Sequence, residues 1–159
     1  MNCSLNVVLF EPEIPQNTGN IGRSCVAIGA KLWLVEPLGF ELTEKRLRRA
    51  GLDYWQHLDL TIVQDWSQLL QQLPDIKPWI FTKHAKRSYV DVDYIGGDTL
   101  IFGNESSGLP SHIHQTWAER CVRVPMCPEV RSLNLATTAG IAMYEAQRQI
   151  GKSSKQEFL

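Results

Sequence analysis

Apolar positions in this chain come in short runs of four to six residues, separated by stretches with helical spacing. "LNVVLF" (5–10) reads as a buried strand bounded by "EPEIP". Ile21, Cys25 and Ile28 follow at i, i+4 and i+7, which predicts a helix over 19–28 with Gly29 placed to end it. "KLWLVEP" (31–37) is a second strand, stopped by proline, and "LTEKRLRRAG" (42–51) a short helix with Thr43 as N-cap candidate and Gly51 as stop. Further along, strands are predicted at 60–63, 79–82, 99–102 and 121–125. Helices are predicted at 66–73, 111–119 and 133–150.

Strands alternating with helices imply an α/β fold, with a mostly parallel sheet covered by helices on both faces. No repeat or linker interrupts the pattern, so residues 1–150 are expected to form a single domain, and the polar tail 151–159 to fray. In open α/β sheets ligands gather beyond the carboxyl ends of the strands. Three unusual segments follow strand candidates and could converge there: "NTGNIGR" (17–23), "FGNESSGLP" (102–110) and "VPMCPEVRSLNLA" (124–136).

Composition narrows the class only modestly. Hydrophobic content of 43% and charged content of 21% are ordinary for a soluble globular protein. No run approaches the roughly 20 apolar residues of a membrane span, and the N-terminus lacks the pattern of a secretory signal, so no membrane association and a cytoplasmic location are expected. Cys3, Cys25, Cys121 and Cys127 are widely spaced without C-x-x-C, which fits idle thiols in a reducing compartment; with His112 and His114 they match no zinc pattern, and no metal is expected. The net charge of −1 does not announce nucleic acid, but "EKRLRR" (44–49) holds four basic residues in six and "KHAKR" (83–87) three more. Such clusters suit phosphate contacts as well as a solvated helix face.

Each unusual segment has two readings. "FGNESSGL" has Gly-x4-Gly, but Leu109-Pro110 stands where a phosphate-binding P-loop needs Lys-Ser/Thr, and no G-x-G-x-x-G is present. Its glycines would let backbone approach a ligand closely, although an ordinary crossover loop with serine caps would look similar. In the third segment Val124 and Met126 surround a proline, and Ser132 or Asn134 could cap the last helix; apolar walls with a few main-chain donors suit a flat base such as adenine. Ala136, Ala139, Gly140 and Met143 form a small-residue stripe on that helix, fit for subunit contact or for core packing. Asn17 and Asn20 lie near a helix start, where the dipole favours anions, and Arg23 could reach a phosphate from one turn further; a plain N-cap with a surface arginine is the simpler alternative.

Taken in order, these segments resemble the SPOUT superfamily of RNA methyltransferases, and especially the small bacterial tRNA (cytidine/uridine-2′-O-)-methyltransferases that modify the anticodon wobble nucleotide. The matching residues are "LFEPEIPQNTGNIGR" (9–23), "EPLGF" (36–40), "KRLRRAGLDY" (45–54), "FGNESSGL" (102–109) and "VPM…RSLNL…YEAQRQ" (124–149), so the resemblance spans residues 5–150.

The resemblance implies a C-terminal deep trefoil knot, which general topology rules make very improbable and which periodicity does not reveal. It implies a homodimer, with Tyr144 an interface candidate, and S-adenosylmethionine as methyl donor, leaving S-adenosylhomocysteine. By motif, Ile80, Thr82, Gly103, Val124, Met126, Ser132 and Leu133 would line the cofactor pocket. Arg23 would stand beside the target ribose, with Asn17, Asn20, Glu105 and Asn134 holding the site. A guanidinium with a pKa above about 12 is a poor base, so Arg23 is expected to anchor phosphate and stabilise developing charge. Lys45, Arg46, Arg48 and Arg49 become candidate contacts to the tRNA backbone, with an anticodon stem-loop as the footprint.

Two departures bear on detail. Relatives often carry "FGPETRGL" where this chain has "FGNESSGL", and "TKHAKRSY" (82–89) differs from a "TTKG" type, which leaves the Ile80 and Thr82 assignment open by a residue or two. Two alternatives stand beside the leading reading: a 2′-O-methyltransferase for another tRNA position or for ribosomal RNA, and a noncatalytic RNA-binding protein.

Overall fold

The structure, a computed structural model, describes residues 5–43 and 53–153. Strands β1 (Asn6–Phe10), β2 (Lys31–Val35), β3 (Leu60–Val63), β4 (Lys77–Phe81), β5 (Asp98–Phe102) and β6 (Cys121–Val122) form one six-stranded sheet. Its order is β3-β2-β1-β5-β4-β6, and all five pairings are parallel. Helices α1 (Pro15–Ile28), α2 (Trp66–Gln72), α3 (Ser111–Thr116) and α4 (Leu135–Ser153) connect or follow the strands. Short 3-10 turns occupy Asp53–His57 and Ala118–Arg120.

Because side chains alternate along a strand, the near-continuous apolar runs divide between two cores. Val7, Leu9, Leu32, Leu34, Phe81, Leu100 and Phe102 meet α1 (Ile21, Cys25, Ile28) and α4 (Ala139, Met143, Ala146) on one face. Val8, Phe10, Trp33, Val35, Ile80 and Ile101 meet Leu69 of α2 and Ile113 of α3 on the other. Helices therefore cover both faces, as the alternation predicts. The small-residue stripe resolves in the same way: Ala139 and Met143 are fully buried in the first core, whereas a side chain at Gly140 would meet open space.

The expected boundaries hold to within a few residues, with two informative exceptions. Helix α1 begins at Pro15, four residues ahead of the predicted start, and Gly29 ends it in the left-handed conformation as expected. Helix α4 runs through Ser153, past the predicted end at 150. The expected helix at 42–51 falls mostly on residues outside those described.

The chain leaves β3 at one edge, enters β4 on the far side of β1, returns to place β5 between β1 and β4, and ends the sheet with β6. The carboxyl ends of β4, β5 and β6 thus lie next to the end of β1. A crevice at such a switch in strand order is where α/β folds place their ligands.

Candidate active site

A cavity of about 850 Å3 opens at that edge, bounded by the segments that follow β4, β5 and β6 and by the first turn of α1. Thr82, Gly103, Val124, Met126, Ser132 and Leu133 line it, together with Asn17, Glu105 and Asn134. Nine of the predicted site residues therefore share one enclosure.

Glu105 organises its floor. The carboxylate accepts hydrogen bonds from the backbone N–H of Glu13 through Oε2 (2.8 Å) and of Ile14 through Oε1 (3.1 Å). Oε1 also accepts from Nδ2 of Asn17 (3.1 Å). Ile14 occupies the N-cap of α1, and its own backbone N–H, which has no partner within the helix, is satisfied by a residue 91 positions away. A carboxylate there also complements the positive end of the helix dipole. Asn17 is buried, and its Oδ1 accepts from Nδ2 of Asn134 (2.9 Å). Asn134 in turn caps α4, with Oδ1 accepting from the backbone N–H of Ala136 (2.9 Å) and Thr137 (3.2 Å). Of the two cap candidates Asn134 fills the role, while Ser132 lines the cavity instead. One polar relay, Glu105–Asn17–Asn134, thus joins all three segments singled out in the sequence.

The "FGNESSGLP" loop folds tightly on itself. Oδ1 of Asn104 accepts from the backbone N–H of Ser107 (2.7 Å) and from its hydroxyl (2.9 Å), and the Gly108 N–H donates to the Asn104 carbonyl (3.1 Å). Gly108 takes a φ of 69°, in the left-handed region. At Gly103 a Cβ would stand 2.3 Å from the Gly108 carbonyl carbon and 2.5 Å from the Leu109 nitrogen, so no side chain fits. The glycines serve this self-contact, which presents the loop's backbone to the cavity.

Three predicted residues lie elsewhere. Ile80 is fully buried in the second core and does not line the cavity; Phe81 and Thr82, the next residues along the strand, do. The register error is one residue, because side chains alternate between faces. Asn20 is exposed on α1 and does not line the cavity; its carbonyl accepts from the Ser24 hydroxyl (3.3 Å). Arg23 is also outside the lining. Its guanidinium carbon sits 4.9 Å from the centre of the Tyr54 ring, and the Tyr54 hydroxyl donates to the Gly19 carbonyl. Burial pushes the Tyr54 phenol above its ordinary pKa, partly offset by Arg23. Lys45, Arg46, Arg48 and Arg49 lie outside the described residues.

His114, weighed in the sequence only as a metal ligand, and His84, read only as part of the 83–87 cluster, both line the cavity. His114 Nε2 is buried without a hydrogen-bond partner among the described residues, and desolvation, helped by nearby His84, lowers the pKa of the ring. Their separation of 30 positions left no local signal. Among the described residues no group of three or more His, Cys, Asp or Glu side chains is placed to hold a metal ion, and no helix is long and apolar enough to cross a membrane.

This six-stranded parallel sheet superposes on solved SpoU methyltransferases, and the SpoU rRNA Methylase family matches residues 4–144. The chain belongs to that family. It is 44% identical over 147 residues to the tRNA (cytidine(34)-2′-O)-methyltransferase of Saccharophagus degradans, covering 92% of this chain and 96% of that one. A structure described as giving insight into the 2-OH methylation of C/U34 on tRNA superposes with a TM-score of 0.86 at 43% identity, over 91% of this chain and 95% of the other. The SpoU methyltransferase AviRb from Streptomyces viridochromogenes, solved with the cofactor AdoMet, superposes with a TM-score of 0.80 at 26% identity, over 94% of this chain and 58% of that one.

Proposed function

We propose that this protein is a tRNA 2′-O-methyltransferase that carries a methyl group from S-adenosylmethionine to the ribose of the wobble cytidine or uridine in the anticodon loop, releasing S-adenosylhomocysteine. The observation that carries this reading is the single cavity in which Glu105, Asn17 and Asn134 join the three segments. The relatives' names and the AdoMet complex of AviRb support the substrate and the cofactor.

The cavity suits that cofactor in size and chemistry: ligand sites span about 300–1,000 Å3 with apolar walls and a few convergent polar groups. Val124, Met126 and Leu133 would hold the flat base, with Thr82, Ser132 and the 103–108 backbone meeting polar groups. S-adenosylmethionine supplies an electrophilic sulfonium methyl and a neutral thioether leaving group. The ribose 2′-oxygen would form the new bond to carbon as the carbon–sulfur bond breaks, with the hydroxyl proton passing to solvent water. Arg23 would anchor an adjacent phosphate and stabilise the developing alkoxide, a role suited to a group that keeps its charge. Glu105, Asn17 and Asn134 keep the loops in register for that approach.

The reading extends to a single domain over residues 1–150 with a C-terminal trefoil knot, to a homodimer in which exposed Tyr144 contacts the partner, and to a cytoplasmic location. A dimer would build the RNA surface from both chains. Lys45, Arg46, Arg48 and Arg49 would meet the tRNA backbone.

The test is to incubate the purified protein with methyl-labelled S-adenosylmethionine and tRNA from cells lacking its gene, then digest and locate the label by mass spectrometry. A 2′-O-methyl at the wobble nucleotide is expected. Methylation at another position, or of ribosomal RNA alone, would overturn the substrate; bound cofactor with no transfer to any RNA would overturn the enzyme.

A further inference from the structure

Beside the main cavity lies a second one of about 400 Å3, and the two share Thr82, His84 and His114. Lys86 and Arg87, both exposed, line the side pocket. Both belong to the loop 82–88, which carries Lys83, His84, Lys86 and Arg87 and no acidic residue.

The backbone of this loop is held at both ends. At its start the Thr82 hydroxyl accepts from the His84 N–H (3.3 Å) and the Thr82 carbonyl from the Ala85 N–H (3.2 Å), with the Ala85 side chain buried. At its end the Arg87 carbonyl accepts from the Arg123 N–H (2.9 Å) and Ser88 pairs in parallel with Arg123. The side chains of Lys83, Lys86 and Arg87 stand exposed on this fixed frame. None of them forms a salt bridge with a described residue; Arg87 donates only to the backbone carbonyl of Glu119, at 3.4 Å. Among the described residues, Glu119 supplies the only carboxylate side chain lining the pocket.

Unpaired cations on a rigid loop, in a chain whose net charge is −1, concentrate positive potential at one place. Single-stranded nucleic acid is bound by positively charged grooves that track its backbone. The main cavity and the side pocket share Thr82, His84 and His114, so a strand whose target nucleotide occupies the main cavity can continue past this wall onto the 82–88 loop.

We propose that the side pocket and the 82–88 loop form a phosphate subsite for the RNA strand flanking the target nucleotide, with Lys86 and Arg87 as its phosphate ligands. The inference rests on the RNA methyltransferase reading above and deepens it.

The experiment measures tRNA affinity against salt concentration for the wild type and for Lys86→Gln combined with Arg87→Gln, with Lys86→Gln alone as a second variant that leaves the Arg87–Glu119 hydrogen bond in place. S-adenosylmethionine affinity and thermal stability control for folding. The double variant is expected to bind tRNA at least tenfold more weakly at low salt. The slope of log K on log salt should fall by about 0.7 to 0.9 for each phosphate that is no longer neutralised, and the single variant should fall between. Wild-type binding with unchanged affinity and slope in both variants would overturn the subsite and leave the enzyme reading intact. Failure of the wild type itself to bind or methylate any RNA would remove the enzyme reading, and the subsite with it. Loss of inorganic-phosphate binding with full tRNA affinity retained would assign the pocket to a free anion and overturn the RNA subsite.

Discussion

Asn134 donates through Nδ2 to Oδ1 of Asn17 at 2.9 Å, joining the cap of the last helix to the buried first turn of the first. Asn17 passes the contact on to Glu105 at 3.1 Å. Each amide therefore has its orientation set by its neighbours, and the relay holds three loops that are distant in the chain.

Glu105→Ala should unfasten that relay. It leaves the Glu13 and Ile14 N–H groups and the Asn17 amide without their shared acceptor. A charged hydrogen bond contributes about 1.5–3 kcal/mol, and loss of a helix cap about 0.5–2 kcal/mol. Chemical denaturation should show a loss of about 2 kcal/mol, and calorimetry weaker binding of S-adenosylmethionine. Unchanged stability would remove Glu105 as the cap of α1.

Gly103→Ala should be more damaging than Gly108→Ala. The first places a Cβ against backbone at 2.3 Å, which cannot yield as a flexible side chain would. The second has open space around it and incurs only the left-handed conformation, about 1–2 kcal/mol. Cofactor titration should show at least a tenfold loss for Gly103→Ala and a smaller one for Gly108→Ala; the reverse order would contradict the loop geometry.

Arg23→Ala should abolish methyl transfer while leaving S-adenosylmethionine affinity nearly unchanged, since Arg23 does not line the cavity. Tyr54 offers a graded companion. Tyr54→Phe keeps the ring against the guanidinium and loses the hydroxyl bond to Gly19, whereas Tyr54→Leu loses both. Transfer rates should fall in the order wild type, Phe, Leu, with cofactor affinity constant across the series. A matching fall in cofactor binding would place this cluster in the pocket instead.

His114 should make the protein less stable in mild acid. Desolvation, with nearby His84, lowers the pKa of its ring, so the folded-state value lies below the unfolded value of about 6.5. Below that value the unfolded chain takes up a proton that the folded chain resists. Stability should therefore be full above about pH 6.5 and decline as pH falls toward the lowered folded value. His114→Gln should flatten this part of the profile in thermal melts recorded from about pH 5 to 7.5. An identical slope in both proteins would exclude His114 as the source.

Much of the fold was legible in the sequence because strand and helix periods are local properties. The runs at 5–10, 31–35 and 99–102 needed only their own residues to be read as strands, and Gly29 needed only its freedom at positive φ to be read as a stop. The order of the three unusual segments was equally available, and it carried the family resemblance. The small-residue stripe was not resolved, since Ala139 and Met143 suit either a core or a contact surface until α1 is seen against them.

What lay beyond reach depended on partners remote in the chain. The start of α1 at Pro15 had a local signal, a proline at the first helical position, but the acceptor of the Ile14 N–H, Glu105, stands 91 residues away and could not be read. Whether Ile80 or its successors faced the cavity turned on a one-residue register, and only the sheet, flanked by two different cores, decided it. The placing of Arg23 on Tyr54, and of His84 beside His114, likewise came from elements packed together after folding. Local sequence determined which elements form and which segments carry polar and glycine-rich groups. Tertiary structure decided which of those residues meet, because hydrogen bonding and burial act through space rather than along the chain.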